Sequence, residues 1–320
     1  MKTFKPKLAL LASIGSVLAL CVLSASAAGL TEPVSNASLN TAPAAAVIDG
    51  GSTLDKIRAA GVINLGIREK ALPFSDIEAG VAKGYSVDIC NRVADGVIGA
   101  IGKPVRVAYV AVNAKNRIEM LKNGLIDIEC GTTTHTAARE KEVAFSLPIF
   151  VSGVRLAVRN DAAGLATSLD NFGGKTIAVV AGSTAEGIVK RAEVAAAVNG
   201  RKFTIKQIGN NDEGIKAVSE GAAQAFATDD VLLASAIAKQ GLFKSIVRVG
   251  PLMSVEPYAF MVRKKDDIFE KLVDKAVRDV LVSGAALGFV DKWLNTPELQ
   301  YTLNALTREN FRFSTKFAAP

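Results

Sequence analysis

From Ser52 onward, short apolar runs alternate with helical patterns, and no other feature of the chain limits its possible folds so strongly. Ser52 or Thr53 can cap LDKIRAA, Gly61 can end it, and VINLGI follows as a buried strand. In GYSVDICNRVADGVIGAIG the residues Cys90, Val93, Ala94, Val97, Ile98 and Ile101 share one helical face. Strand VRVAYV, helix NRIEMLKNG and strand LIDIEC complete the series. This order predicts a mostly parallel sheet with helices on both sides.

A second series begins after Pro148: RLAVR, TIAVVAG, a helix from Ala185, FTIKQI, a helix in DEGIKAVSEG, AAQAFAT, and a helix from Asp229. The strand in YAFMVRK and the helices over 267–283 and 287–294 then have no third sheet to join, so the chain is expected to return to its first lobe. The predicted layout is an α/β protein with lobe 1 over 52–152, lobe 2 over 153–251, a return to lobe 1 over 252–302, and a C-terminal tail over 303–320. Two crossings, near 151–158 and 249–260, leave a cleft between the lobes. In such sheets ligands bind at the carboxyl ends of the strands, where loops run into helix N-termini.

Residues 1–27 carry Lys2, Lys5 and Lys7, an apolar run from Leu8 to Leu23, and small residues around Ser26, which reads as a cleaved secretory signal peptide. The run is shorter than the roughly 20 residues that a membrane span needs. Residues 28–51 lack apolar periodicity and are predicted to be a flexible leader. The expected location is the periplasm. Cleavage removes three lysines and no acid, so the net charge of +7 falls to +4. With no Lys/Arg block and 6% aromatics, nucleic acid is not an expected partner. An oxidising compartment permits Cys90 and Cys130 to pair, but the reading favoured here is two buried thiols, one on a helix and one at a strand end.

Four strand ends hold the candidate chemistry: GIREKALPF with Arg68, ECGTTTHTAAR with Thr132, Thr133 and Arg139, VAGSTAEG with Ser183 and Thr184, and FATDD with Asp229. Arginine presents a planar fork that holds a carboxylate through two parallel hydrogen bonds, and aspartate holds an ammonium. Together they describe an amino-acid receptor. His135 is the chain's only histidine. With two scattered cysteines it forms no metal spacing, and no nucleophile elbow accompanies it, so neither metal, cofactor nor catalyst is expected. GGKTIAVVAGST matches neither the dinucleotide nor the phosphate-loop spacing and reads as a close approach of backbone N–H groups to a small anion.

GSTLDKIRAAGVINLGIRE, LPFSD, GYSVDIC, KNRIEMLKNGLIDIECGTTT, FVSGVRL, AFATDDVLL, SVEPYAFMVRK and DKW resemble, in order and spacing over about residues 51–300, the polar amino-acid periplasmic binding proteins of ABC importers, in particular the glutamate/aspartate branch. The resemblance implies the two-lobed type II clamp of such binding proteins, a monomer that closes on one amino acid and presents it to a membrane permease. It implies that Arg139 grips the α-carboxylate with help from Thr133 and Thr184, that Thr132 and Asp229 take the α-ammonium, and that Arg68 and Arg117 take the side chain. The sequence departs from the branch at Ala114, usually serine, and at Asn211, usually histidine. An acidic ligand is favoured because both side-chain arginines are present, and an amide amino acid is the alternative, with Asn211 as its partner. A dehydratase on the same clamp is the enzymatic rival, with Glu69, Glu129 and Glu186 as candidate acids.

Overall fold

The structure is a computed structural model that describes residues 52–165 and 168–320. The signal peptide and leader read from residues 1–51 lie outside the described residues. Helix α1 (Thr53–Ala60) opens on Ser52, whose hydroxyl accepts from the Leu54 amide, and ends at Gly61 in the left-handed conformation at φ +64°. Next come β1 (Val62–Arg68), the hairpin β2 (Asp76–Glu78) and β3 (Val81–Lys83), α2 (Tyr85–Ile101), β4 (Arg106–Val112), α3 (Arg117–Lys122), β5 (Ile128–Glu129), β6 (Ala144–Phe145) and β7 (Phe150–Ser152). Strand β5 is shorter than LIDIEC suggests because Asp127 is spent as an anchor. Its carboxylate accepts from the Asn64 amide and pairs with Lys56 and Arg263.

The next elements are β8 (Val154–Arg159), β9 (Thr176–Val180), α4 (Thr184–Val198), β10 (Thr204–Ile208), α5 (Asn211–Ser219), β11 (Ala225–Asp229), α6 (Asp230–Lys239) and β12 (Ile246–Val249). The chain ends with β13 (Glu256–Tyr258), β14 (Met261–Val262), α7 (Asp267–Val282), α8 (Ala285–Trp293) and α9 (Ala305–Arg312).

Two five-stranded sheets result, ordered β4-β1-β5-β14-β6 and β10-β9-β11-β8-β12. In each, four strands run parallel and one runs against them, β14 in the first sheet and β8 in the second. Between the sheets, β7 and β13 pair antiparallel as a ribbon, Glu256 opposite Ser152 and Tyr258 opposite Phe150. YAFMVRK is therefore broken: Tyr258 pairs in the ribbon, whereas Met261 pairs with Glu129 and Phe145 in the first sheet.

Burial follows the apolar faces. On α2, Cys90, Val93, Ala94 and Val97 are fully buried in the first core, while Ile98 is half-buried. The second sheet separates two cores, one around Phe226 and Ile215 and the other around Phe172 and Val189. The preference for two free thiols is corrected: Cys90 and Cys130 form a disulfide, with Cα atoms 5.9 Å apart. Packing α2 onto β5 brings two fully buried sulfurs together, a pairing that no local pattern encodes. Residues 303–320, read as a tail, contain α9. The Thr307 hydroxyl and Asn304 amide donate to the Val151 carbonyl, so this helix is fastened to the ribbon strand β7.

Candidate functional site

Arg68 ends β1, Glu129 ends β5, and Asp229 ends β11 while serving as the N-cap residue of α6. Thr184 is the first residue of α4, whose N-cap Ser183 accepts from the Glu186 amide. Parallel strands thus deliver these groups to carboxyl ends and helix starts, the positions where backbone N–H groups and the helix dipole favour anions.

The loop from Gly131 to Thr136 is stitched to the ribbon. The His135 amide donates to the Pro257 carbonyl at 2.8 Å, and the Ala259 amide donates to the Thr133 carbonyl at 3.0 Å. The loop's four threonines, Thr132, Thr133, Thr134 and Thr136, are all buried. Thr132 accepts from Arg68 Nη1 at 2.7 Å, Thr133 donates to Glu129 Oε2 at 2.6 Å, and Thr134 donates to Glu256 Oε2 at 2.5 Å. The loop is tight at Gly131, where a Cβ would press on the Glu129 carboxylate and lie 3.0 Å from Arg68 Cβ. His135 stacks on Phe145 with ring centroids 4.4 Å apart, and its Nε2 lies 2.6 Å from Glu140 Oε1, so its ring serves packing.

Arg139 links the two sheets. Its guanidinium donates to the Thr134 carbonyl at 2.7 Å and to the Gly182 carbonyl at 3.3 Å. Gly182 adopts φ +81°, and a Cβ there would meet the Ala114 carbonyl at 2.7 Å, so the lobes approach backbone to backbone at this point. Asn211 also lies at the lobe boundary. Its amide donates to the Lys70 carbonyl at 3.4 Å and its carbonyl accepts from Thr228.

Three guanidinium groups are therefore concentrated near three carboxylates, Glu129, Asp229 and Glu256. Arg117 is 2% exposed, and among the described residues its Nε and Nη1 have no hydrogen-bond partner, nor has Glu129 Oε1 or Asp229 Oδ1. Burial lowers the pKa of Arg68 and Arg139 from the ordinary guanidinium value. Burial and then the neighbouring Arg139 charge hold Arg117 well below it. Burial raises Glu129, with Arg117 the largest opposing influence. Asp229 is pushed up to about 7 by burial and then by the Glu256 charge. A buried charge without a full set of partners costs free energy that a complementary ligand relieves. Such a cluster is suited to binding a zwitterion with further negative charge.

Sequence reasoning missed Thr134 and Glu256 and weighed Glu129 only as an acid for chemistry. The available signal was a carboxylate embedded in an apolar run, as in MSVEPYAFMV and LIDIEC. A separate cavity of about 330 Å³ is lined by Arg155, Asp230, Arg248 and Tyr301, where Asp230 pairs with both arginines and accepts from the Tyr301 hydroxyl, and it includes none of Arg68, Arg117 or Arg139.

Two open α/β sheets joined by a two-strand ribbon, with polar groups gathered where their strands end, define a two-lobed binding protein. The model of the bacterial extracellular solute-binding proteins, family 3, matches residues 63–296, and the chain belongs to that family. It is 36% identical over 283 residues to the glutamate/aspartate import solute-binding protein of Escherichia coli, covering 88% of this chain and 89% of that one. To the L-glutamate/L-aspartate-binding protein of Pseudomonas aeruginosa it is 37% identical over 251 residues, covering 77% and 80%. Among solved structures, the cysteine-binding protein of Campylobacter jejuni shares the fold at a TM-score of 0.68, with 23% identity, 80% of this chain and 98% of that one. The ancestral amino acid-binding protein AncCDT-1, described as a precursor of cyclohexadienyl dehydratase, matches at 0.65 with 27% identity, covering 76% and 99%.

Proposed function

We propose that this protein is secreted to the periplasm, captures glutamate or aspartate between its lobes, and hands it to the permease of an ABC importer. The observation that carries this reading is the meeting of buried Arg68 and Arg117 with half-buried Arg139, where Arg117 Nε and Nη1 have no partner among the described residues. In this reading Arg139 and the Thr184 main-chain N–H hold the α-carboxylate, with the Thr133 main chain beside them. Asp229, assisted by Thr132, holds the α-ammonium, and Arg68 and Arg117 hold the side-chain carboxylate. Ser183 keeps the α4 N-terminus in place, and Asn211 contributes at the lobe boundary.

No chemical step is required. The ligand binds the closed clamp more tightly than the open one because only closure brings Arg139 and Thr184 together, and that difference shifts the equilibrium. The names of the Escherichia coli and Pseudomonas aeruginosa relatives support the ligand class. One observation favours a dehydratase-like alternative: Glu129 is a fully buried carboxyl with a raised pKa. Its Oε2 is already occupied by Thr133, which makes it a support for the pocket wall.

Isothermal titration calorimetry on ligand-stripped protein lacking residues 1–27, against glutamate, aspartate, glutamine, asparagine and lysine, tests the reading. Micromolar or tighter binding of glutamate or aspartate, about 8 kcal/mol, is expected. Preference for an amide would move the ligand to the Asn211 alternative, and silence from the whole panel would reject the reading.

A further inference from the structure

We infer that Glu256 is a positioning residue that ties the two pocket walls together and sets the balance between open and closed clamp. The inference rests on the amino-acid-binding reading above. Glu256 lies on β13, in the crossing that returns the chain to the first sheet, and is 2% exposed. Its Oε2 accepts the Thr134 hydroxyl at 2.5 Å and the Thr184 hydroxyl at 2.8 Å. Its Oε1 accepts the Ser254 hydroxyl at 2.5 Å.

The two threonines that bond this carboxylate belong to different lobes. Thr134 forms a backbone bridge with Tyr258, two residues from Glu256, so that bond is internal to the first lobe and its ribbon. Thr184 opens α4, in the second lobe. Separation of the lobes would therefore break the Thr184 bond and leave the Thr134 bond intact. Glu256 is also the strongest opposite charge acting on Arg139, which reaches across to Gly182 beside Thr184. A single carboxylate thus holds a hydroxyl of the second lobe next to the arginine that bridges the cleft. A hydrogen bond to a charged, buried acceptor is among the stronger kinds, and it strengthens as water is excluded.

Three consequences follow for the molecule. The closed arrangement has an internal fastening, Thr184 is oriented whenever the lobes close with or without ligand, and part of the cost of closure is met by the chain itself. Glu256 need not touch the ligand to affect its affinity.

The test uses the complete secreted protein with spin labels at Val198→Cys and Ile268→Cys, both exposed and in different lobes. Interlobe distances are measured by pulsed electron resonance without ligand, and glutamate binding is measured by calorimetry. Glu256→Ala is expected to shift the ligand-free population towards longer distances by about tenfold or more and to weaken glutamate binding by about the same factor. Glu256→Gln, whose amide oxygen still accepts hydroxyls, should shift it less. Thr184→Val should shift it alone but add nothing to Glu256→Ala. Should Glu256→Ala fail to fold, Glu256→Gln and Thr184→Val still decide the matter, since both must lengthen the distance. Unchanged distances, additive shifts from the two sites, or tighter glutamate binding by Glu256→Ala would each overturn the inference. If the distance shifts while every amino acid is silent, the fastening stands and the ligand assignment fails.

Discussion

Arg139 donates to the carbonyl of Gly182, joining the loop after β5 to the turn before α4 across the boundary between the two sheets. The same guanidinium is held by the Thr134 carbonyl on its own side. Arg139→Ala removes both the bridge and the fork proposed to hold the α-carboxylate. Loss of two charge-assisted contacts predicts at least about 3 kcal/mol, or about 150-fold in Kd. Calorimetry checks it, and full affinity in Arg139→Ala would remove the central residue of the proposed site.

Arg117 should behave in the opposite way towards folding. Its Nε and Nη1 are buried without partners among the described residues, so Arg117→Met exchanges an incompletely satisfied charge for an apolar side chain of similar length. Stability without ligand should hold or rise by about 1 kcal/mol, while glutamate affinity falls by about 1.5–3 kcal/mol. Urea unfolding alongside calorimetry separates the two effects. A stability loss beyond about 2 kcal/mol would instead make Arg117 a structural counter-charge for Glu129.

Asp229 predicts a pH dependence. Its pKa is pushed up to about 7 in the structure described. An ammonium bound beside it favours the ionised form and lowers that value, so binding releases a proton. Affinity is therefore full above about pH 7 and declines as the pH falls below it, by up to tenfold per unit until the pKa of the complex is reached. Calorimetry at pH 8, 6.5 and 5.5 in buffers of different ionisation enthalpy should show the decline and the released proton. Asp229→Asn should bind weakly at every pH and lose the dependence.

The Cys90–Cys130 bridge joins residues 40 apart and fastens α2 to the strand end that carries the threonine loop. The double replacement Cys90→Ala, Cys130→Ala should cost about 2–4 kcal/mol of folding stability. Guanidinium unfolding of the oxidised protein and of the double variant checks this. Equal midpoints would show that the bridge adds nothing to stability.

The elements were legible where local chemistry decides them. Ser52 and Gly61 delimit α1, and the spacing of Cys90, Val93, Ala94 and Val97 marks the buried face of α2. Arg68, Thr132, Arg139, Thr184 and Asp229 stood out because each lies where an apolar strand meets a polar loop, and such junctions carry ligand contacts in α/β sheets. Their family resemblance reached the same residues by order and spacing.

Other features depend on which distant segments meet. Glu256 and Thr184 are 72 residues apart, and nothing near either predicts that one carboxylate oxygen takes a hydroxyl from each lobe. The disulfide likewise needed the tertiary packing of α2 on β5, and the ordered C-terminal helix needed the ribbon strand β7 to bind against. Periodicity, capping and turn chemistry act over a few residues, so a linear reading recovers them. Which charges lose water together, and which of them find partners, is set only when the lobes and the crossings between them come into contact.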